Sequence, residues 1–543
     1  MLTKNNTCIK NGAKILIDTL ADLGVDTIFG YPGGIVLDLY NELYNQSDIR
    51  HILVRHEQSA VHAAEGYARV MGKCGVVLVT SGPGATNTVS GIVNAYLDGY
   101  PLVVLTGQVF NNLLGKNAFQ EADICDITKS CTKKVYQIKS ADEIQDVLIK
   151  AFTLANSGKK GPVVIDMVKD IFKQDALYKN VSVNLPKESL VKAADVQRIY
   201  ERILSSARPV IVAGGGVVHS KSENELEKFV KVMNIPIVST MMGLGTFPQN
   251  LPNYFGMIGI FGDKAANQLL KKSDLIISLG ARFNDRITCM FEKSDFDSKF
   301  IQIDINEKEI SNFVMATDYI VCDIKDFLTK LNEFDCREQI FGNWSGKVQN
   351  LRKLNVIRER KTNLLHSFEV LRKIEEFTKG KSITFTSEVG QHQLWAVQNI
   401  SQNKDRRILV SGGSGTMGFG FPAAIGVAVA KSENPVVCIT GDGSFQMGLH
   451  ELATCADYHL NIKIMILNNG YLGMVRQLQE KQCHSHYSQT KISNPDFVKL
   501  AQSYGLQGIR VSTVDQIDDA LSLAFSTNET FVIDFAIEPM EVL

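Results

Sequence analysis

Three long segments of this chain repeat one pattern, in which short apolar strands end abruptly at glycine-rich or polar tips. Examples are "GVVLVTSGPG", "PVIVAGGGV" and "PVVCITGDG". Amphipathic stretches separate these strands, and such alternation predicts parallel sheets that helices cover on both faces. We therefore predict an α/β fold with three doubly wound parallel-sheet domains over residues 1–182, 190–340 and 362–543.

Length and charge agree with this organisation. A chain of 543 residues is too long for one hydrophobic core, and 45% hydrophobic with 21% charged residues is typical of a globular protein. The 57 basic and 58 acidic side chains leave a formal net charge of −1, so no global field attracts nucleic acid or an anionic membrane. We expect neither as a partner.

The sequence also predicts a cytoplasmic location. The N-terminal residues lack the uninterrupted apolar core of a signal peptide. No run reaches the roughly 18 consecutive apolar residues that a membrane span requires. The ten cysteines show no CxxC pairs, which favours reduced thiols over a disulfide framework or a zinc site.

Asp442 is the first candidate for chemistry. The run "VCITGDGSF" (437–445) predicts a buried strand whose tight end presents Asp442, although an isolated GDG is most often a plain turn or helix cap. The next strand, "IKIMILNNG", ends at Asn468 and Asn469. Because neighbouring parallel strands end at the same edge of a sheet, these oxygen ligands should meet there. They suit Mg²⁺, whose remaining positions a diphosphate could fill.

The spacing of this pair resembles a known cofactor signature. GDG, 24 intervening residues and NN are similar to the motif of thiamine-diphosphate (ThDP) enzymes. The resemblance implies that Asp442, Asn469 and the carbonyl oxygen of Tyr471 bind Mg²⁺. The two glycines around Asp442 would let the backbone approach the metal-bound diphosphate.

Glu57 is the second candidate. It lies in "HILVRHEQSAVHAAEGYARV", where a predicted strand gives way to a helix. In ThDP enzymes a glutamate from a different domain hydrogen-bonds the aminopyrimidine ring and helps to remove the proton at thiazolium C2. The resemblance implies this role for Glu57. The alternative is that Glu57 only stabilises a helix N-terminus.

Nearly the whole chain resembles the acetolactate synthase family, also called acetohydroxyacid synthases. The matching stretches are "FGYPGG", "HEQSAVHAAEGYAR", "TSGPGATN", "GQV", "AFQEADI", "ARFNDRIT", "GQHQLWA", "GTMGFGFPAAIG" and "NNGYLGMV". The resemblance implies an enzyme that decarboxylates pyruvate on ThDP and joins the hydroxyethyl unit to a second 2-oxo acid. The products would be 2-acetolactate or 2-aceto-2-hydroxybutyrate, for branched-chain amino acid biosynthesis.

The resemblance also implies roles for individual residues around ThDP. It assigns contacts with the cofactor or the substrate to Gly34, Gln120, Gln391, His392, Gly415, Met417, Gly443, Ser444, Gly473 and Met474. The carboxylate of the acceptor needs a cation, for which Arg286 is the leading candidate and Lys133 and Lys169 are weaker ones.

The middle segment resembles the FAD domain of this family through "AGGGVV", "MIGIFG", "GARFNDR" and "IDIN". The implied FAD contacts are Lys159, Gly215, Gly280, Arg282, Asp304 and Asp323. FAD would be structural, since the net reaction transfers no electrons. Several positions depart from the family pattern, namely Lys159, Phe261, Asn284 and Leu478. Leu478 replaces a tryptophan that contacts the acceptor, so we expect weaker selectivity for 2-oxobutyrate.

The assembly follows from the same resemblance. Glu57 and the metal motif lie in different predicted domains, which in the family come from different subunits, so a homodimer or a dimer of dimers is implied. A small regulatory subunit is a further expected partner. Two alternatives stay open: a related ThDP carboligase or decarboxylase, including an FAD-independent catabolic acetolactate synthase, and a non-catalytic relative that only binds nucleotides or partner subunits.

Overall fold

The structure, a computed structural model, describes residues 7–181, 191–297, 299–334, 340–355 and 362–543. The chain forms two compact units. The first contains residues 1–186, 364–396 and 409–542, and the second contains residues 187–363 and 397–408 together with Leu543. Three six-stranded sheets, all with parallel pairing, confirm the predicted α/β fold class. Each predicted domain range encloses one of these sheets, while the exact boundaries stay a prediction.

The N-terminal part of the first unit is built around one of the parallel sheets. Its strands, with a separate antiparallel pair β1–β8, are β1 (Thr7–Asn11), β2 (Thr27–Tyr31), β3 (Arg50–Leu53), β4 (Gly75–Val79), β5 (Leu102–Gln108), β6 (Lys134–Ile138), β7 (Pro162–Val168) and β8 (Asp175–Lys179). Its helices are α1 (Gly12–Asp22), α2 (Leu37–Tyr44), α3 (Glu57–Met71), α4 (Pro83–Thr86), α5 (Val89–Asp98), α6 (Ile124–Thr128) and α7 (Ile144–Asn156). The strand order is β3-β2-β4-β5-β7-β6, and the central strands β4, β5 and β7 are buried throughout.

The second unit contains the next sheet. Its strands are β9 (Pro209–Ala213), β10 (Ile237–Ser239), β11 (Tyr254–Met257), β12 (Leu275–Leu279), β13 (Phe300–Asp304) and β14 (Asp318–Val321). Its helices are α8 (Ala193–Ser205), α9 (Gly215–Ser220), α10 (Glu223–Met233), α11 (Lys264–Lys272), α12 (Asp285–Thr288), α13 (Ile324–Leu331) and α14 (Gly342–Val348). The order β11-β10-β9-β12-β13-β14 reverses direction between β9 and β12, which is where dinucleotide folds open a ligand crevice.

The C-terminal sheet belongs to the first unit. Its strands are β15 (Thr384–Ser387), β16 (Ile408–Leu409), β17 (Val436–Gly441), β18 (Ile462–Asn468), β19 (Gln507–Val511) and β20 (Phe531–Ala536). The accompanying helices are α15 (Ser367–Thr378), α16 (Gln391–Asn399), α17 (Gly420–Ala430), α18 (Asp442–Phe445), α19 (Leu452–Asp457), α20 (Gly473–Gln482), α21 (Phe497–Ser503) and α22 (Ile517–Phe525). The strand order is β16-β15-β17-β18-β20-β19.

The two sheets of the first unit share a continuous apolar core through α3 and α17. These helices approach so closely that a Cβ built on Gly66 of α3 would overlap the carbonyl oxygen of Ala423. A Cβ built on Gly426 of α17 would likewise overlap the carbonyl oxygen of Ala63. The contact is reciprocal, because each helix places a glycine against an alanine three residues before the glycine of the other.

Six strands were not predicted from the sequence: β1, β6, β8, β11, β14 and β19. Four of them, β6, β11, β14 and β19, are among the six outer strands of the three sheets, and β1 and β8 pair only with each other. Within the described residues, every helix is too short or too polar to cross a membrane.

Candidate active site

Asp442 and Asn469 follow neighbouring strands, as the sequence predicted. Strands β17 and β18 pair in parallel register, with Gly441 opposite Leu467. Asp442 is buried at the tip of β17, and its Oδ2 atom accepts a hydrogen bond of 2.9 Å from the backbone N–H of Gly470. The carboxylate of one strand tip therefore contacts the turn that follows the other.

Asn494 completes this cluster. Its Nδ2 atom donates to Asp442 Oδ2 at 2.7 Å and to Asn468 Oδ1 at 2.9 Å. The sequence did not predict this residue, because Asn494 lies in a loop 26 positions beyond Asn468. The side chains of all three residues converge on one edge of the third sheet.

The backbone of Tyr471 faces the same cluster. Tyr471 pairs with Lys491 in an antiparallel bridge whose bonds join Leu472 N to Thr490 O and Ile492 N to Gly470 O. Since the bridging bonds use the flanking residues, the N–H and C=O of Tyr471 point away from Lys491. The N–H donates to Asn469 Oδ1 at 3.0 Å, so the carbonyl of Tyr471 lies on the side of Asn469.

This donor set suits a hard divalent cation. It offers one carboxylate, one amide oxygen and one backbone carbonyl, which is what Mg²⁺ takes from a protein when phosphate oxygens supply the rest. Burial raises the pKa of Asp442, and a bound cation would stabilise its charged form. Among the described residues, no group of three or more His, Cys, Asp or Glu side chains could hold a metal ion, so the cluster differs from a zinc site.

Gln391 and His392 begin α16 beside the tips of β17 and β18. A Cβ built on Gly441 would meet the ring of His392 at 2.6 Å, and one built on Gly473 would overlap the side-chain oxygen of Gln391. Burial lowers the pKa of His392 to about 3, so its ring is neutral at pH 7. Its buried Nε2 atom has no hydrogen-bond partner in the described part of the chain. An unpartnered polar atom at this position is consistent with a ligand contact.

The other residues predicted to contact the diphosphate follow the tips of β17 and β18. Gly443 and Ser444 lie in α18, directly after Asp442, and Ser444 Oγ donates to Val389 O at 2.8 Å. Gly473 and Met474 are the first residues of α20. The first residues of α18 and α20 thus lie beside Asp442 and Asn469.

A loop formed by residues 411–418 carries Gly415 and Met417. Gly415 has a φ of 65°, which is the left-handed conformation that favours glycine. The loop ends at the carboxylate of Glu388, which accepts the N–H groups of Gly418 (2.8 Å) and Phe421 (2.9 Å). Glu388 is fully buried, and this burial raises its pKa to about 7.

Glu57 is the first residue of α3, at the tip of β3. Its Oε2 atom accepts a hydrogen bond of 3.0 Å from Asn87 Nδ2, and its Oε1 atom lies 3.5 Å from a Cβ built on Gly84. The loop that contains Gly84 also approaches Gln120, because a Cβ built on Gly82 would meet Gln120 O at 2.8 Å. Glu57 and Gln120 therefore flank one loop, formed by residues 80–84.

The structure separates the two candidate lysines of the first unit. Lys169 Nζ donates to Gly34 O at 3.3 Å, so two predicted site residues lie together. Lys133 Nζ instead donates to Leu154 O at 2.6 Å and to Ser157 O, at the C-terminal end of α7. Lys159 lies over the ring of Tyr96.

The predicted FAD contacts of the second unit follow its strand tips. Gly214 N donates to Leu279 O and Gly216 N to Gly280 O, each at 2.9 Å, which fixes the two loops at the point where the strand order reverses. The other predicted contacts are spread along the same edge: Gly215 opens α9, Arg282 follows β12, Asp304 ends β13 and Asp323 caps α13. Arg286 lies on α12, where its side chain is exposed.

Three family models match the chain in order. They are described as the N-terminal TPP binding domain, the central domain and the C-terminal TPP binding domain of thiamine pyrophosphate enzymes, and they match residues 10–127, 196–331 and 388–535.

Curated relatives are similar over almost the whole length. The acetolactate synthase large subunit of Haemophilus influenzae is 40% identical, with 98% of this chain and 95% of the relative covered. The large subunit of Lactococcus lactis is 41% identical, covering 98% and 93%. The isozyme 3 large subunit of Escherichia coli is 39% identical, covering 98% and 95%.

Proposed function

The chain belongs to the acetolactate synthase large-subunit family of thiamine pyrophosphate enzymes, and from this premise we propose which residues perform its reaction. The chain is a ThDP-dependent acetolactate synthase. It decarboxylates pyruvate and joins the two-carbon unit to a second 2-oxo acid, for branched-chain amino acid biosynthesis. The products are 2-acetolactate or 2-aceto-2-hydroxybutyrate.

Asp442, Asn469 and the carbonyl oxygen of Tyr471 are the proposed Mg²⁺ ligands. The observation that carries this proposal is the buried contact between the tip of β17 and the turn after β18, where Asp442 accepts the N–H of Gly470. Asn494 orients the carboxylate through its hydrogen bond to the same oxygen. The cation would offset the cost of the buried charge on Asp442.

The diphosphate of ThDP is proposed to lie between Mg²⁺ and the surrounding loops. Gln391, His392, Gly443, Ser444, Gly473 and Met474 would contact it. The neutral ring of His392, with its unpartnered Nε2 atom, supports this part of the proposal. Gly415 and Met417 would hold the cofactor bent, with the apolar Met417 side chain between its rings.

ThDP supplies, when bound, a carbanion at thiazolium C2 and an electron sink for the pair that CO2 leaves behind. Glu57 is proposed to exchange a proton with the aminopyrimidine ring, and Asn87 holds the Glu57 carboxylate in place. Gln120 and the backbone N–H of Gly34 would contact the reacting centre.

The carboxylate of the acceptor is proposed to bind a fixed cation. Arg286 offers a bidentate guanidinium group that is exposed and able to take a ligand. Lys169 beside Gly34 is the second candidate. Lys133 is the weakest, since its ammonium group already donates to two carbonyl oxygens.

FAD is proposed as a structural cofactor of the second unit. The strand order of this unit, with glycine loops packed together at the reversal between β9 and β12, supports a dinucleotide ligand. The proposed contacts are Lys159, Gly215, Gly280, Arg282, Asp304 and Asp323. FAD would carry no electrons in the net reaction.

The proposed assembly is a homodimer or a dimer of dimers in the cytoplasm. The name "large subunit" of the relatives supports a small regulatory subunit as a further partner. Pyruvate and the acceptor 2-oxo acid are the small-molecule partners.

Substitution of Glu57 tests the proposed proton transfer. Glu57→Gln keeps the shape of the side chain but removes its ability to ionise, so proton–deuterium exchange at C2 of bound ThDP should be lost. Binding of ThDP, measured by titration, should persist because the proposed metal ligands are intact. Exchange at the wild-type rate in this variant would contradict the role of Glu57.

Product analysis tests the reaction and the flavin together. Pyruvate alone should give 2-acetolactate, and pyruvate with 2-oxobutyrate should also give 2-aceto-2-hydroxybutyrate. Flavin content measured on the same sample distinguishes this enzyme from an FAD-independent acetolactate synthase. Carboligation without stoichiometric flavin would remove FAD from the proposal.

A further inference from the structure

The loop of residues 411–418 is held by a carboxylate from the other sheet of the first unit. Asp98 ends α5 and is buried. Its Oδ2 atom accepts the N–H of Gly412 at 3.1 Å, and its Oδ1 atom accepts the N–H of Gly413 at 2.6 Å. Both oxygens thus bind the backbone just before Gly415 and Met417.

Asn94, one helical turn before Asp98, ties the two ends of this loop together. Its Oδ1 atom accepts hydrogen bonds from the hydroxyl groups of Ser411 and Thr416. The Ser411 hydroxyl oxygen in turn accepts the N–H of Thr416 at 2.9 Å. The residue directly before Met417 is therefore fixed through both its side chain and its backbone.

Arg69 anchors Asp98 within the protein. Its Nη2 atom donates to Asp98 Oδ2 at 2.8 Å, and its Nη1 atom donates to Val410 O at 2.9 Å. Arg69 also forms an ion pair with Glu65, and all three charged side chains are buried. Arg69 therefore holds the Asp98 carboxylate in position, and the carboxylate in turn holds the loop.

Glu451 makes a similar contact in the opposite direction, from the C-terminal part of the first unit to its N-terminal part. This buried residue follows α18, and its Oε1 atom accepts the N–H groups of Arg55 at 3.0 Å and His56 at 3.1 Å. Thr454 Oγ1 donates to its other oxygen at 2.6 Å. The backbone that Glu451 holds is the tip of β3, immediately before Glu57.

We propose that Asp98 and Glu451 are reciprocal positioning residues: Asp98 fixes the loop that presents Met417, and Glu451 fixes the strand tip that presents Glu57. This inference rests on the proposed function, which places Met417 and Glu57 against the cofactor. Hydrogen bonds from backbone N–H groups to a buried carboxylate are short and strong, and they oppose small displacements of the loop. Catalytic groups tolerate displacements of only about 0.5 Å.

The first test replaces Asp98 with an isosteric amide. Asp98→Asn turns one acceptor oxygen into an NH2 group that faces N–H donors, while Arg69 keeps its ion pair with Glu65. We expect kcat to fall about 10-fold, since a hydrogen bond to a charged group is lost. The KM for ThDP should rise and the KM for pyruvate should change little, a split that general destabilisation would not produce.

A double-mutant cycle then asks whether Asp98 acts through the loop. Met417→Ala and the double variant Asp98→Asn/Met417→Ala are compared with both single variants. If Asp98 acts by placing Met417, the double variant should lie within about threefold of the worse single variant, because residues of one network are not additive. Losses of kcat that simply multiply would overturn the role of Asp98.

Glu451→Gln is the matched control, because it also converts a buried carboxylate that accepts backbone N–H groups. Combined with Met417→Ala, its loss of kcat should multiply, since Glu451 holds the tip before Glu57 rather than the 411–418 loop. If Glu451→Gln were coupled to Met417→Ala as strongly as Asp98→Asn is, the proposal that the two carboxylates position different residues would be overturned.

The experiment separates this inference from the proposed function. Wild-type kinetics in Met417→Ala would remove Met417 from the cofactor site, and the role of Asp98 would fall with it. A strong effect of Met417→Ala with multiplicative losses would reject Asp98 alone. If Asp98→Asn does not fold, Thr416→Val removes one hydroxyl contact to Asn94, and we expect about a threefold loss of kcat with the same failure of additivity.

Discussion

The tip of β4 in the first sheet carries Thr80, Ser81 and Gly82, whereas the tip of β17 in the third sheet carries Asp442. The two strands occupy corresponding places, because both sheets have the strand order 2-1-3-4-6-5 when each is numbered from its own first parallel strand. Helices α3 and α17 also correspond and pack through reciprocal glycines. One framework is therefore used twice, with different chemistry at its tips.

This difference teaches where the function of such a framework lies. The central strands serve the same packing task in both sheets, since they are mostly apolar and buried on both faces. The two sheets differ in the loops after the strands, which carry the proposed oxygen ligands of a metal in one sheet and the proposed acid for proton transfer in the other. Function is thus a property of the site and not of the fold.

The largest expected effect comes from replacing Asp442, the residue that distinguishes the tip of β17 from the tip of β4. Asp442→Asn keeps the shape of the side chain but removes its charge, so the cation loses its only carboxylate among the proposed ligands. We expect the affinity for Mg²⁺ and ThDP to fall on the order of 1,000-fold, or about 4 kcal/mol. Isothermal titration with ThDP at fixed Mg²⁺ measures this change.

Ser81→Ala, at the corresponding tip of the first sheet, is the comparison variant. It should leave the ThDP titration at fixed Mg²⁺ nearly unchanged, because no metal ligand is proposed there. An equal loss of metal affinity in both variants would mean that the two tips do not differ as described.

A second prediction tests the equivalence of the two helices. Gly66→Ala and Gly426→Ala each place a methyl group against a backbone carbonyl oxygen, which cannot move as a side chain would. Each should destabilise the first unit by about 3 kcal/mol. Thermal unfolding of both variants measures the effect.

Similar decreases of Tm would support a symmetric contact between α3 and α17. Gly505→Ala is a control for the loss of a glycine, because its φ of 76° strains alanine while its Cβ would meet open space. If Gly66→Ala or Gly426→Ala were no worse than this control, the close approach of the helices would be contradicted.

The sequence predicted the centres of the sheets better than their edges. β5 and β17 are buried along their whole length, and each begins with four consecutive apolar residues. The outer strands β6 and β19 are half-exposed, so polar and apolar residues mix in them without a clear period. Their place in the sheet depends on pairing with a neighbour, which no local pattern encodes.

The residues of the candidate site also differ in how well the sequence predicts them. Asp442 and Asn469 were predictable because a fixed spacing ties them to the ends of neighbouring strands. Asn494, Asp98 and Glu451 were missed, since each reaches its partner across a large separation in sequence. A single Asn or Asp in a loop or at a helix end carries no local signal of such a contact.

The third prediction concerns Glu388, which directly follows β15 in the third sheet. The corresponding strand of the first sheet, β2, is followed by Pro32 and Gly33 instead of an acid. Burial raises the pKa of Glu388 to about 7 in the folded state, against about 4.3 in an unfolded chain. Between these values the folded state keeps a proton that the unfolded state has lost, so stability falls as pH rises through this window. The loss is on the order of 3 kcal/mol.

Glu388→Gln cannot ionise and isolates this contribution. The Tm of the wild type minus that of the variant should decrease between pH 5 and pH 8, measured by thermal unfolding in matched buffers. A constant difference across this range would show that Glu388 does not keep its proton in the folded protein.

The smallest expected effect concerns the helix that follows β18. After β5 of the first sheet the chain runs as a loop to α6, whereas after β18 it forms α20, which exposes Leu478. Leu478→Trp adds apolar surface that can contact the additional methyl group of 2-oxobutyrate. We expect selectivity for 2-oxobutyrate over pyruvate as acceptor to rise roughly threefold to tenfold, the range that one methylene group allows. Competition assays with both acceptors measure the product ratio, and Leu523→Trp on α22, another exposed leucine of the same unit, should leave it unchanged. An equal ratio in both variants would remove Leu478 from acceptor recognition.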